Sequence, residues 1–138
     1  MAVIVSISLI LRGTNFKPEE ITSLVGVQPS KQWQQGDLIS GTTLRHKDYG
    51  WLLSTGEVQL DEKKSLDFMG QVRSLVNRLQ PHTGSLANAV VRLRIDVKLY
   101  CVLQIEGDER PAIQFQPDVV RWLGELQAGI DVVTYFLP

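Results

Sequence analysis

A short pattern occurs twice in this sequence, about a hundred residues apart. Phe16-x-Pro18-acid and Phe115-x-Pro117-acid each follow an apolar run, and each precedes apolar residues at helical spacing. Proline suits the first turn of a helix, where its missing N–H is not needed, and acidic residues complement the positive end of the helix dipole. Each pattern therefore predicts a strand followed by a helix. Their recurrence predicts two related strand–helix–strand units in one domain.

Other elements are indicated by hydrophobic periodicity. The alternation over residues 3–11 predicts a strand with one buried face. Apolar residues recur every three to four positions over residues 62–80, which predicts an amphipathic helix that Pro81 ends. Residues 85–95 fit a helix face and a strand face equally well. We favour a short helix there, followed by a strand over residues 96–105.

The middle of the chain has weaker periodicity. We expect irregular strands over residues 33–39 and 49–55, a connector over residues 56–61, and long loops between them. With strands and helices alternating near both ends, this predicts a single α+β domain over residues 1–138. The expected architecture is a ferredoxin-like mixed β-sheet sandwich, built from the two related units with helices mainly on one face. Right-handed crossovers favour positions inside the sheet for the first and last strands.

Bulk properties exclude several classes of protein. A formal net charge of −1 provides no overall field to attract nucleic acid or anionic lipid. The apolar stretch over residues 3–11 is too short to cross a bilayer and lacks the preceding basic residue of a signal peptide. The single cysteine, Cys101, excludes an internal disulfide and suits a reducing compartment. We therefore expect a cytoplasmic protein that binds neither nucleic acid nor membrane.

The sequence contains no recognisable catalytic or metal-binding motif. Its two histidines, His46 and His82, lie in different predicted segments, and no Cys-x-x-Cys, Walker loop, dinucleotide fingerprint or nucleophile elbow occurs. Cys101 lies in an apolar strand, which is typical of a buried, unreactive thiol. We expect no catalytic residues, no cofactor and no metal. If the chain is an enzyme, Arg45, His46 and Asp48 form its best acid–base cluster.

Aromatic and charged residues concentrate in the middle segment. Tryptophan, tyrosine and arginine dominate binding hot spots, and loops on a rigid scaffold commonly carry recognition. The alternative interpretation places Trp33 and Trp51 in the core and makes residues 45–47 a solvated turn. The candidate binding residues are Trp33, Asp37, Arg45, His46, Tyr49 and Trp51.

Several short motifs, in their order and spacing, resemble those of the DUF4279 family. They are Gly26-x-x-Pro29-Ser30, Gly36-Asp37, Gly50-Trp51 with Ser54, Leu79-Gln80-Pro81, and Ala128-Gly129-Ile130-Asp131 with Tyr135. The sequence departs from the family pattern in its few acidic residues after Pro29 and in Thr134, which interrupts the final apolar run. The resemblance covers nearly the whole chain. It implies a bacterial α+β domain of unknown biochemical role and supplies no catalytic residues.

These observations favour a non-enzymatic protein-binding module. Small single-domain bacterial proteins of this kind often look like immunity proteins, which neutralise toxins, so a toxin-like protein is one expected partner. A second copy of the chain is another, because a sheet edge can pair across a two-fold axis. The alternative function is a small-ligand-binding regulatory domain, because ferredoxin-like pairs of units often bind metabolites between them.

Overall fold

The computed structural model describes residues 3–60, 67–108 and 110–138. Within these residues, strands and helices combine into an α+β fold with one mixed sheet, as predicted. The strands are β1 (Val3–Gly13), β2 (Lys31–Trp33), β3 (Tyr49–Ser54), β4 (Val58–Leu60), β5 (Asp96–Glu106) and β6 (Gly129–Leu137). The helices are α1 (Pro18–Val25), α2 (Phe68–Leu79), α3 (Thr83–Arg92) and α4 (Pro117–Glu125), with a 3₁₀ turn at Gln80–His82.

β1 is the centre of the sheet. β5 pairs with it antiparallel along almost its whole length, from Val3 opposite Ile105 to Arg12 opposite Asp96. On the other side of β1, β3 pairs with its second half and β4 with its first three residues. β2 lies outside β3, and β6 lies outside β5 in parallel register, which gives the order β2-β3-β1-β5-β6.

The position of β6 corrects the expectation that both terminal strands lie inside the sheet. β1 is central, but β6 is at an edge. The handedness of the β5–α4–β6 crossover decides which face of the sheet the helix covers. It does not decide whether a further strand is added beyond β6, and within the described residues none is.

The helices cover one face of the sheet. Alternate residues of β1 are fully buried on that face and join one apolar cluster with the buried residues of all four helices. The alternate residues between them, such as Ile4 and Ile10, are only half-buried, and Arg12 is exposed. Among the residues that the structure describes, no helix covers this second face, which is therefore available for contact. We call it the open face.

The helix boundaries follow the sequence signals closely. α1 begins at Pro18 and α4 at Pro117, as the repeated pattern predicts. The helix expected over residues 62–80 is α2, whose N-cap carboxylate, on Asp67, accepts a hydrogen bond from the Gly70 N–H at 2.7 Å. Residues 62–66 of that prediction lie outside the described residues. Among the described helices, none is long and apolar enough to cross a membrane.

The ambiguous and irregular segments are also placed. Residues 85–95 contain the end of α3, and a strand follows from Asp96, as favoured. The strand expected over residues 33–39 was predicted wrongly: only Trp33 lies in a strand, β2, and the chain turns at Gly36, where φ is 93°. The connector expected over residues 56–61 contains β4, which was not predicted.

Candidate functional site

The segment between β2 and β3, residues 34–48, forms an ordered hairpin that we call the arm. Backbone N–H groups donate across it from Gly36 to the His46 carbonyl (2.9 Å) and from Ile39 to the Leu44 carbonyl (2.8 Å). These bonds satisfy backbone groups that an open loop would leave to water. The arm therefore holds its side chains in defined positions.

Trp33 anchors the arm on the open face. Its indole lies over Gly50, where an added Cβ would be 2.6 Å from Cδ2 and closer still to Cε2 and Cζ2. The imidazole of His46 stacks on the indole, with ring centroids 4.7 Å apart. The indole Nε1 of Trp33 donates to Asp48 Oδ1 at 3.2 Å. The Arg12 guanidinium lies 5.7 Å from the ring centroid. These contacts leave Trp33 only 7% exposed, so it fixes the arm rather than presenting a surface.

The far part of the arm exposes two leucines. Leu38 is 56% exposed and Leu44 is 65% exposed. Leu38 lies opposite Arg45 across the arm, and Leu44 lies opposite Ile39, so the two leucines are on opposite faces of the hairpin. Exposure on both faces shows that this end of the arm stands away from the sheet.

The arm exposes two basic side chains, and each of its two carboxylates accepts a hydrogen bond. Arg45 and Lys47 are both exposed, and Arg45 Nη1 also donates to the Gly36 carbonyl at 2.8 Å. Asp37 Oδ2 accepts from the Gln34 backbone N–H at 2.8 Å and so closes the turn at the base of the arm. An approaching molecule would therefore meet two cations, Arg45 and Lys47, together with the exposed carboxylate of Asp37.

A groove of about 360 Å³ lies on the open face, next to the base of the arm. Ladder register places Arg12 opposite Asp96, and an ion pair of 3.1 Å joins Lys98 Nζ to Asp131 Oδ2. A second hollow of about 510 Å³ shares Arg12 and Asp96 with it. The groove is lined by Ile10, Arg12, Asp96, Lys98, Tyr100 and Asp131. Its charges alternate in sign, so it suits a small ligand that carries both.

The structure divides the six predicted binding residues between two faces of the sheet. Four of them lie in the arm or at its base: Trp33, Asp37, Arg45 and His46. Trp51 is fully buried in the core, where its Nε1 donates to Thr22 Oγ1 at 3.0 Å. Tyr49 is half-buried on the same helical side. The two-residue alternation of β3 explains the division, because Gly50 faces Trp33 while its neighbours face the helices.

Cys101 and the predicted acid–base cluster of Arg45, His46 and Asp48 are occupied in packing and hydrogen bonds. Cys101 is fully buried on the helical face of β5, and burial raises the pKa of its thiol to about 12. The thiol therefore stays protonated at neutral pH. In the cluster, the His46 ring stacks on Trp33, and the Asp48 carboxylate accepts a hydrogen bond from the indole N–H of Trp33. Among the described residues, no three side chains of the metal-binding types form a group that could hold an ion.

Sequence reasoning missed the exposed leucines and the groove. Leu38 and Leu44 are isolated apolar residues in a polar segment, and that isolation is the signal that could have marked them as exposed. The alternation of β1 could likewise have placed Arg12 on the face opposite the core. The position of Arg12 opposite Asp96 could not be predicted from the sequence, because it depends on the register between β1 and β5.

A family model described as a domain of unknown function, DUF4279, matches residues 4–137 of the 138-residue chain. The chain belongs to the DUF4279 family. The match extends from the second residue of β1 to the last residue of β6, so it includes the arm, the groove and the edge strand. No curated protein and no solved structure matches this DUF4279 chain. The structural roles of Asp37 and Gly50, two of the motif positions, are now visible: one closes the arm and the other seats Trp33.

Proposed function

We propose that this DUF4279 domain is a non-enzymatic module that binds a protein partner through the arm. The observation that carries the proposal is the exposure of Leu38 and Leu44 on a hairpin whose backbone is already bonded. Single exposed leucines are common on protein surfaces. Here, however, both lie on an ordered projection, so a partner would bind apolar groups without the entropic cost of ordering a loop.

The charges around the arm indicate the chemistry of the partner. Arg45 and Lys47 are exposed on the arm, and Arg12 and Lys31 lie within about 6 Å of the Trp33 ring at its base. A matching surface would combine an apolar cleft with acidic groups, since complementary charge steers association and fixes orientation. In its narrowest form, the proposal is that the partner is a toxin that the domain neutralises.

The test is a comparison of partner capture by three forms of the tagged protein from its source cells, with mass spectrometry of the bound proteins. The forms are the natural sequence, the double variant Leu38→Ser/Leu44→Ser, and the control Val91→Ser, which alters an apolar residue of α3 that is 62% exposed. We expect one stoichiometric partner to bind the natural sequence and the control, and to be lost from the double variant. Equal capture by all three forms would contradict a role for the arm.

The identity and affinity of the partner complete the test. A secreted or toxic protein would support the immunity interpretation, whereas another class of partner would support only the general proposal. In a direct titration, Arg45→Glu should weaken binding at least tenfold, because reversal of a charge opposite acidic groups costs several kcal/mol. An unchanged dissociation constant would contradict the proposed acidic surface.

A second candidate function, a small-ligand-binding regulatory domain, is supported by the groove on the open face. Its volume of about 360 Å³ is within the usual range for small-molecule sites. Alternating charges and the ring of Tyr100 fit a zwitterion such as an amino acid. The test is thermal unfolding in the presence of each member of a panel of amino acids. A bound amino acid should raise the melting temperature in proportion to the logarithm of its concentration. Arg12→Ala should abolish this rise in melting temperature, whereas the control Leu38→Ser should retain it. The absence of any rise with the natural sequence would contradict this function.

The ferredoxin-like, two-unit description of the fold is also a proposal. Its support is that β1 and β5 are the two central strands and that each is followed by a helix beginning at the proline of a Phe-x-Pro motif. The outer neighbour of β1 is β3, which is the second strand after it in the chain. The outer neighbour of β5 is β6, which is the next strand in the chain. β3 is antiparallel to β1 and β6 is parallel to β5, so the units differ after their helices.

A further inference from the structure

β6 is a sheet edge without the usual protection. Within the described residues, no strand pairs with its outer side, so a row of backbone N–H and C=O groups faces outward. The strand has nine residues and contains neither lysine nor proline, and its one charged residue, Asp131, is already paired with Lys98. Its exposed large apolar residues are Ile130, Val132, Tyr135, Phe136 and Leu137.

The opposite edge of the same sheet is protected. β2 has only three residues, begins with the exposed Lys31 and ends at Trp33, just before the arm. Short length and lysine are devices by which natural proteins prevent pairing between sheet edges. β2 has both and β6 has neither, so β6 is the edge that can accept a further strand.

We propose that β6 pairs antiparallel with β6 of a second copy of the chain, across a two-fold axis at Val133. In this register Val133 faces its own copy, Ile130 faces Phe136, and Asp131 faces Tyr135. No like charges meet, and apolar side chains face each other at two positions, Ile130 with Phe136 and Val133 with its own copy, whereas Val132 faces Thr134. The strand is thus complementary to itself, as an isologous interface requires.

Side chains beside the strand enlarge the interface. Phe136 is 62% exposed, and the Arg110 guanidinium lies 4.9 Å from the centroid of its ring. A strand of nine residues is about 30 Å long. Strand pairing plus these flanking groups would join two sheets into one, with the two arms at its far ends. The dimer therefore leaves both arms free, and the proposal does not depend on what they bind.

The experiment is sedimentation analysis of the full chain over a range of concentrations. We expect a dimer for the natural sequence and at least tenfold weaker dimerisation for Val133→Lys, because two lysines would then face each other at the axis. Val133→Glu should have the same effect. An equimolar mixture of the two variants should dimerise again, since opposite charges then meet. The control Leu52→Lys places the same charge on the open face of β3 and should leave dimerisation unchanged.

Two results would overturn the proposal. One is a monomer for the natural sequence at about 100 µM, a concentration that would populate a micromolar dimer. The other is a Val133→Lys variant that dimerises as well as the natural sequence. If the variants do not fold by circular dichroism, hydrogen exchange of the natural protein decides. Outward amides of β6 should exchange more slowly at high than at low protein concentration, and concentration-independent exchange would contradict the pairing.

Discussion

Gly50→Ala tests whether the packing of Trp33 on the open face determines stability. The indole occupies the space in which a Cβ would lie, 2.6 Å from Cδ2 and nearer to two other ring atoms. Atoms at such distances must separate, so the indole has to leave its seat on the sheet. Overpacking of this kind typically costs 1–3 kcal/mol, and we expect about 2 kcal/mol. The loss should be below that of Trp33→Ala, for which about 3 kcal/mol is expected.

A double-mutant cycle separates this clash from any intrinsic effect of the substitution. Without the indole, Gly50→Ala should be neutral or stabilise by about 0.5 kcal/mol, because glycine is unfavourable in a strand. The expected coupling energy is therefore about 2–2.5 kcal/mol. Urea unfolding followed by far-ultraviolet circular dichroism measures all four proteins without relying on tryptophan fluorescence.

A matched glycine provides the control for the cycle. Gly124 lies in α4, and a Cβ there would meet nothing within 4 Å. Gly124→Ala should stabilise by about 0.5–1 kcal/mol in the presence or absence of Trp33. A coupling energy below about 0.5 kcal/mol between positions 33 and 50 would refute the packing argument, because independent sites add within that margin.

Three further predictions concern single groups. Burial raises the pKa of Cys101 from 9.0 to about 12, so the folded state keeps a proton that the unfolded state loses. The free energy of unfolding should therefore fall as pH rises from 9 to 12. Urea titrations should show a shallower fall for Cys101→Ala. Hydrogen bonds from Arg73 at 2.9 and 3.0 Å lower the pKa of Asp118. The stabilisation from this ion pair is therefore present above pH 3.8 and is lost as pH falls below it. Arg73→Met should raise the pKa of the Asp118 carboxyl, as measured by NMR. Removal of the α2 cap by Asp67→Ala should cost about 1 kcal/mol in urea unfolding.

Elements with a strong local signal could be predicted from the sequence. The alternation of β1 and the prolines that open α1 and α4 depend on neighbouring residues alone, and the structure confirms them. β4 was missed because three residues are too few to show a period, and it forms by pairing with the start of β1. The edge position of β6 was predicted wrongly because strand order depends on contacts between distant parts of the chain.

The candidate site was predictable only in part, for a related reason. Trp33 and His46 were expected in one surface region, and the structure stacks their rings. That the indole would be buried, and the leucines exposed instead, follows from hairpin bonds across the arm that no local pattern reveals. The groove depends on the register between β1 and β5, which brings Arg12 and Asp96 together.

The central position of β1 has a consequence for biosynthesis. The ribosome makes this strand first, but residues 14–95 separate it from β5, its longest partner. At usual rates of translation that interval lasts on the order of ten seconds. Throughout it, β1 can pair with β3 and β4 on one side while its other side stays open in the nascent chain. Completion of the sheet therefore waits for the second half of this domain, and a strand whose alternate residues from Val3 to Leu11 are fully buried in the folded protein stays unpaired on one side until then.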